Sequence, residues 1–360
     1  MKLTLPFSKK VTKPTKSSTP QYSLTERRSL EYPGVTHGLP GSAYEEMELD
    51  PMIQTAITIK QQAVLAADYQ IVPQSETPTA IRNAKFIESV FEQMEGSPRT
   101  ILQSAMDAFV RGWSVQELIY TERDEQIVLT RCQPKDVSQF GLILDEFGQL
   151  LGLSFRSPDF EESSVPLGKF AVFINRPHTS RPKGRSDLDS AYPHFKTKQS
   201  LAKAWKAHLE RYASPTLLGS YQRGLPEDEQ RGFLASLKNL HDNTAIVYPD
   251  EIKIEALHGR ESDNNAFLEA IEFHNREIAR SILGQTLTTD EGRRVGSLAL
   301  GKVHLQVLML QITSLRKLLA DSVMTEQIIR PLIELNFGPG EVPRFEFNSP
   351  ELEAFTTGKL

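Results

Sequence analysis

GRSDLDSAYPHFKTKQSLAKAWKAHLERY, residues 184–212, decides how this chain is organised. Ser186 has N-cap character, and Asp189 three residues on completes a short-armed capping box. The spacing predicts one long helix from Ser186 to about Tyr212. Pro193 is expected to bend or restart it, because proline removes a backbone donor and crowds the preceding turn. A second long helix is predicted over NNAFLEAIEFHNREIARSIL, residues 264–283, where Phe267, Ile271, Ile278 and Ile282 form an apolar stripe. Between the two lie a strand-like run (215–221) and a helix opened by Pro226 with Glu227, Asp228 and Glu229 in its first turn. A hairpin is then expected to pair 245–248 with 252–255 across Pro249-Asp250-Glu251. Two long helices therefore bracket a small α/β insertion.

Upstream, Asp50 reads as an N-cap with Pro51 at the first helical position, and Ile53, Ala56, Ile57, Ala63 and Val64 carry a helix to about Ala67. A strand at 69–72 and helices at 78–94 and 98–111 follow. From Trp113 to Ile174 the apolar period changes to two, with strands at 114–120, 127–129, 151–155 and 170–174 and a turn at 145–148. This block reads as one small antiparallel sheet beside helices. Downstream come a polar loop (284–296), a long apolar-periodic helix (297–335) expected to break near Ser322 or Pro331, and a last strand at 344–347. That strand finds a sheet edge only if the chain before the first long helix meets the chain after the second. The expected class is α+β, with a discontinuous main domain.

At 360 residues the chain has room for two modest domains or one elaborate one, and 39% hydrophobic with 24% charged residues is ordinary for a globular protein. The single cysteine, Cys132, cannot form an internal disulfide or a Cys-rich metal site. The longest apolar run, 303–312, is interrupted by Gln306 and Gln311, so no membrane span is expected. The N-terminus has lysines but no signal-like apolar run, which points to the cytoplasm. A formal charge of −5 argues against a surface that grips nucleic acid throughout. Residues 1–28 differ: Lys2, Lys9, Lys10, Lys13, Lys16, Arg27 and Arg28 face only Glu26. They read as a flexible basic arm, either solvated or touching nucleic acid or a neighbouring subunit.

No catalytic residue, metal site or cofactor is expected. GxxxxGK[ST], GxGxxG and GxSxG are absent. Asp187 and Asp189 read as acids favoured by the positive end of a helix. His274 and Glu277, one turn apart, have no matching pair of ligands on another helix. Cys132 reads as a small buried side chain.

One ordered series carries a family resemblance. It comprises Gly184-Arg185-Ser186, Ala191-Tyr192, Phe195-Lys196, Trp205, Glu210-Arg211-Tyr212, Pro215 and Gly219-Ser220-Tyr221. It continues through Asn275-Arg276-Glu277-Ile278, the run Ile282 to Asp290, Gly296-Ser297 and Asn336-Phe337-Gly338, with Asp50-Pro51, Gln61-Gln62-Ala63-Val64, Gly112-Trp113 and Glu117 upstream. This series resembles the Mu-like family of phage portal proteins over about residues 30–348. No single motif decides it; their order and number do.

The resemblance implies a structural subunit of a tailed phage, in a ring of about twelve copies at one capsid vertex. Double-stranded DNA would pass through it without sequence specificity during packaging and ejection. The partners implied are the terminase packaging motor, head-tail adaptor or connector proteins, the major capsid protein and a scaffold. The protein would assemble in the host cytoplasm and reside in the virion, with no membrane partner. A head-tail adaptor or monomeric nucleic-acid-binding protein is the alternative, and a DNA-processing enzyme the more distant one.

In the portal layout, 1–30 is the basic arm and 31–185 the first part of the wing. Residues 186–212 and 261–284 are the stem helices, around a clip at 213–260. A tunnel loop follows at 285–296, then the second part of the wing at 297–348 and a tail at 349–360. The chain ends about a dozen residues past its last strand, which leaves little or no crown. The tunnel loop would present Thr288, Thr289, Asp290, Glu291, Arg293 and Arg294 to DNA. Lys196, Lys198, Lys203, Lys206 and Arg211 on the first stem helix would line the channel or meet a neighbour's Glu269, Glu272 and Glu277. Glu227, Asp228 and Glu229 in the clip would dock a partner or simply stabilise their own helix start.

Overall fold

The structure, a computed structural model, describes residues 22–23, 39–145, 149–156, 162–178, 181–213, 217–221, 224–240, 245–249, 262–285 and 298–348. In chain order the first elements are β1 (Tyr22–Ser23), α1 (Gly41–Glu48), α2 (Pro51–Leu65), β2 (Asp68–Val72), α3 (Pro78–Gln93), α4 (Pro98–Ala105) and α5 (Ala108–Arg111). Six strands follow: β3 (Trp113–Arg123), β4 (Gln126–Lys135), β5 (Phe140–Leu144), β6 (Leu150–Arg156), β7 (Glu162–Val165) and β8 (Phe170–Ile174). Then come α6 (Leu188–Ala213), β9 (Leu217–Tyr221), α7 (Glu227–Leu240), β10 (Ala245–Pro249) and α8 (Ser262–Leu283). A helix α9 (Leu298–Leu319) passes through a π-helical stretch (Ala320–Ile329) into α10 (Arg330–Phe337), and β11 (Arg344–Asn348) ends the described chain. The chain is α+β and divides into two compact units, one of residues 1–45, 57–189 and 306–360, the other of 46–56 and 190–305.

In the first unit the alternating region forms two antiparallel sheets, not the one expected. The orders are β4-β3-β8 and β1-β5-β6-β7. Alternation along a strand reports which face is buried, not which strand lies beside it. The sheets share one core: Trp113, Val115 and Val172 from the first meet Phe140, Leu142, Leu144 and Leu153 from the second, with Phe170 between. β11 pairs antiparallel with β2, Phe345 opposite Ile71, so the last strand does find its edge near the start of the chain.

The helices of this unit follow local chemistry. Thr77 and Ser97 cap α3 and α4 by accepting from Ala80 N and Thr100 N, each with proline in the first turn. The helix expected over 98–111 is two, separated at Met106 and Asp107. Gly112 then ends α5 in the left-handed region at φ 85°. The expected break near Ser322 takes the form of a π-helical stretch, in which Arg330 N–H reaches back five residues to Thr325 O. Pro331 sits harmlessly in the first turn of α10. Arg316, buried, donates to the Ala63 and Val64 carbonyls (2.6 and 3.1 Å) and closes the end of α2.

The second unit holds α6, α7, α8 and the pair β9–β10. Asp50 caps α2 as expected, its Oδ1 accepting from Met52 N and Ile53 N. Pro193 neither ends nor restarts α6, which runs unbroken through it. Among the described residues β10 pairs with β9, parallel, Val247 opposite Gly219, with α7 as the crossover between them. A parallel pair needs such a crossover, and the fourteen-residue α7 supplies it. The strand expected at 252–255 lies outside the described residues.

Candidate functional site

The entry into α6 is built from buried polar groups of the first unit. Asp187 is fully buried. Its Oδ2 accepts from Lys60 Nζ at 2.5 Å, and its Oδ1 from Asn175 Nδ2 at 3.1 Å, with Arg176 at 3.5 Å. Lys60 also lies over the Phe109 ring, 4.1 Å from its centroid. The backbone around it is pinned: Asp187 N donates to Phe109 O, Arg185 N to Asn175 O, and Ser186 Oγ to Val110 O. Gly184, at φ 72°, fits because it has no side chain; a Cβ there would lie 2.3 Å from Asn175 O and 2.6 Å from Gly112 O. The reading of Asp187 as a helix-end acid is therefore corrected, since a fully buried carboxylate needs specific partners and Lys60 is one. Asp189 does lie in the first turn, but its Oδ1 accepts from Tyr44 Oη at 2.7 Å. Burial, reinforced by that carboxylate, pushes the Tyr44 hydroxyl well above its ordinary pKa.

Of the five basic residues predicted on the first stem helix, three make ion pairs within their own chain. Lys196 Nζ meets Glu46 Oε2 at 2.7 Å, and Gln199 donates to the same carboxylate. The Lys196 contact holds Glu46 below the usual carboxylate range and raises Lys196 in turn. Lys198 Nζ meets Asp50 Oδ2 at 2.7 Å, so that one carboxylate both caps α2 and holds α6. Lys203 and Lys206 are exposed on the distal half of α6, Lys206 lying 3.7 Å from Glu210 of its own helix. Arg211 falls in the last turn, its side chain outside the described residues.

On α8, Glu269 is exposed, Glu272 half-buried, and Glu277 pairs with Arg280 one turn on. The helices α6 and α8 run antiparallel. His194 Nδ1 lies 3.1 Å from His274 Nδ1, and the His208 ring 5.5 Å from Phe267. Burial, then the neighbouring His194, lowers the His274 pKa, against a smaller opposing pull from Glu277. His274 thus meets His194 across the α6–α8 contact, with Glu277 on its own helix the weaker influence. The expected stripe is buried at Ile278 and Ile282 and only half-buried at Phe267 and Ile271.

In the insertion, Glu227, Asp228 and Glu229 occupy the first turn of α7, and Glu227 pairs with Arg231 at 2.8 Å. The residues expected in a tunnel loop, Thr288, Thr289, Asp290, Glu291, Arg293 and Arg294, lie outside the described residues. Among the described residues no group of three or more His, Cys, Asp or Glu is placed to hold a metal ion. None of their helices is long and apolar enough to cross a membrane. Burial pushes the Cys132 thiol up to about 12, so it stays protonated near neutral pH.

Comparison with known proteins matches residues 42–357 to the family model described as the portal protein of Mu bacteriophage. A Mu-like prophage FluMu protein gp29 of Haemophilus influenzae is 26% identical over 87% of this chain and 62% of its own length. The portal protein of Escherichia phage Mu is 22% identical over 74% of this chain and 51% of its own. The chain thus spans between half and two thirds of those relatives. Among solved structures, a chain from the virion of a native gene transfer agent particle superposes with TM-score 0.61 at 11% identity, over 93% of this chain and 91% of that one. A chain from the neck of the native particle, computed with C12 symmetry, gives 0.59 at 12% identity, over 89% and 88%. At these identities the likeness is one of fold.

Proposed function

The chain belongs to the family of Mu bacteriophage portal proteins, and from that premise we propose that it is a structural subunit of a phage portal. About twelve copies would close a ring at one capsid vertex, through which double-stranded DNA is packaged and later ejected. The observation that carries this reading is the family match across residues 42–357, supported by a fold shared with a chain of a C12-symmetric particle neck. The first unit would be the wing, α6 and α8 the stem, and β9-α7-β10 the clip. The terminase motor, and later a head-tail connector, would dock on the clip, with Glu227, Asp228 and Glu229 among the docking charges. The capsid protein and a scaffold are its other proposed partners, and the virion its place.

A DNA conduit must keep a polyanion on axis without fixing it, because phosphate contacts add steeply in affinity. In the proposed tunnel loop, Arg293 and Arg294 are offset by Asp290 and Glu291, a lining that attracts phosphate without trapping it. Replacing both arginines by alanine is expected to alter packaging or DNA retention and leave ring assembly intact. Native mass spectrometry with negative-stain imaging tests the whole reading. A closed ring with a central hole is expected. A protein that stays monomeric at high concentration with scaffold present would point to the adaptor alternative.

A further inference from the structure

We propose that His194 and His274 together bind a divalent transition-metal ion, of the zinc, nickel or copper kind, between α6 and α8. The two histidines belong to the same compact unit, and each helix gives one imidazole. The rings aim the same atom at each other: Nδ1 of His194 lies 3.1 Å from Nδ1 of His274. In a neutral imidazole one ring nitrogen carries the proton and the other a lone pair, and the lone pair is what a metal takes. A contact between two Nδ1 atoms holds a single shared proton. Moving that proton to Nε2 of its own ring turns both lone pairs toward one point. Zinc–nitrogen bonds of about 2.0–2.1 Å set two ligand nitrogens about 3.3 Å apart at a tetrahedral angle and about 2.9 Å apart at a right angle. The observed separation falls between these, so neither helix has to move far for both to bind.

The surroundings hold the rings and leave them within reach of water. Phe273 packs edge-on against both imidazoles, its centroid 6.2 Å from that of His194 and 5.2 Å from that of His274. Rings held in place beforehand lose less freedom when an ion arrives. Both histidines are half-buried, so water completes the coordination shell. Spacing along the chain offered His274 and Glu277 without a partner on another helix; the structure supplies His194, 80 positions away. Glu277 adds negative charge near His274, but Arg280 holds it, which leaves it outside the ligand set. No group of three or more His, Cys, Asp or Glu among the described residues is placed to hold an ion, so two imidazoles and water hold this one. Such a site exchanges its ion readily. It also discriminates, because imidazole suits zinc, nickel and copper, whereas magnesium and calcium take oxygen ligands. An ion bound only in the folded chain stabilises it by mass action, here by tying α6 to α8.

The test uses the full-length protein without a histidine tag, stripped by a chelator and titrated with zinc chloride. Native mass spectrometry counts ions per chain, and thermal melts read the stabilisation. The parent is expected to take up zinc and melt higher with it. His194→Gln and His274→Gln should each weaken that binding by about tenfold or more, since even an outer-shell partner of a metal ligand is worth that much. His208→Gln, elsewhere on α6, should bind zinc as the parent does. X-ray absorption of the zinc-loaded parent is expected to show two imidazole nitrogens at about 2.0–2.1 Å, a readout that needs no variant to fold. A melting temperature that zinc leaves unmoved would overturn the site. So would binding that survives both substitutions, a shell of oxygen alone, or an equal response to magnesium. The inference uses the geometry of one chain, so its failure leaves the portal reading standing, and a protein that forms no ring leaves the metal site standing.

Discussion

The side-chain amide of Gln327 bonds Val172 as a neighbouring strand would: Val172 N donates to Oε1 at 2.7 Å, and Nε2 donates to Val172 O at 2.9 Å. Val172 lies on β8, one edge of the β4-β3-β8 sheet. At the opposite edge Asn336 does the same to Ile127 on β4, at 2.7 and 2.8 Å. The π-helical stretch and α10 therefore clamp both edges of one sheet through two amides. Such edges otherwise expose unpaired backbone groups.

Gln327→Ala leaves both Val172 groups without these partners and is expected to cost about 2–4 kcal/mol, read as a lower urea midpoint. Gln327→Glu keeps an acceptor but loses the donor, and should cost at least as much. Amide exchange at Val172 is expected to quicken in both.

Lys60→Met strands the fully buried Asp187 carboxylate, whose remaining partners are Asn175 and the more exposed Arg176. A loss of about 3–5 kcal/mol is expected, because breaking a buried pair on one side leaves a charge uncompensated. Adding Asp187→Asn removes that charge and should restore part of the stability in the same denaturation measurement.

Two glycines should respond in opposite directions to alanine. At Gly184 the new Cβ meets two backbone carbonyls and the φ is positive, so Gly184→Ala is expected to prevent stable folding. At Gly232, within α7, nothing lies within 4 Å of the new Cβ, and alanine should stabilise by about 0.5–1 kcal/mol. Thermal melts of the two variants check both.

The contact between α6 and α8 should weaken in acid. The folded His274 pKa lies below its ordinary 6.5, so on acidification the unfolded chain takes up a proton before the folded one does. The stabilising effect is fully present above about 6.5 and is lost as pH falls through the folded value. His194 opposes a charge on His274, while Glu277, itself paired with Arg280, favours one. Melting temperature is expected to fall between pH 7.5 and 5, and less steeply in His274→Gln. An equal slope in the two proteins would remove His274 from the effect.

Much of this was legible in residue order. Asp50-Pro51 announced the start of α2, Ser186 the approach to α6, and alternation at Trp113 to Tyr120 a strand, because caps and periods are local. Phe140–Leu144 was missed: its five residues include Gly141, and the run is too short to stand out. The basic residues of α6 were legible as a stripe, but not which of them were engaged. Glu46 and Asp50 lie about 150 positions before their lysines.

By itself the sequence determined the α+β class, the two long helices around an insertion, and the family, since each rests on local pattern or on the order of motifs along the chain. Only the tertiary structure decided that one alternating block makes two sheets and that the insertion pairs in parallel. It alone decided that Asp187 is buried against Lys60, and that Lys203 and Lys206 stay exposed while Lys196 and Lys198 are held. Pairing and burial depend on residues far apart in the chain arriving at one place, and spacing along the chain carries no measure of that distance.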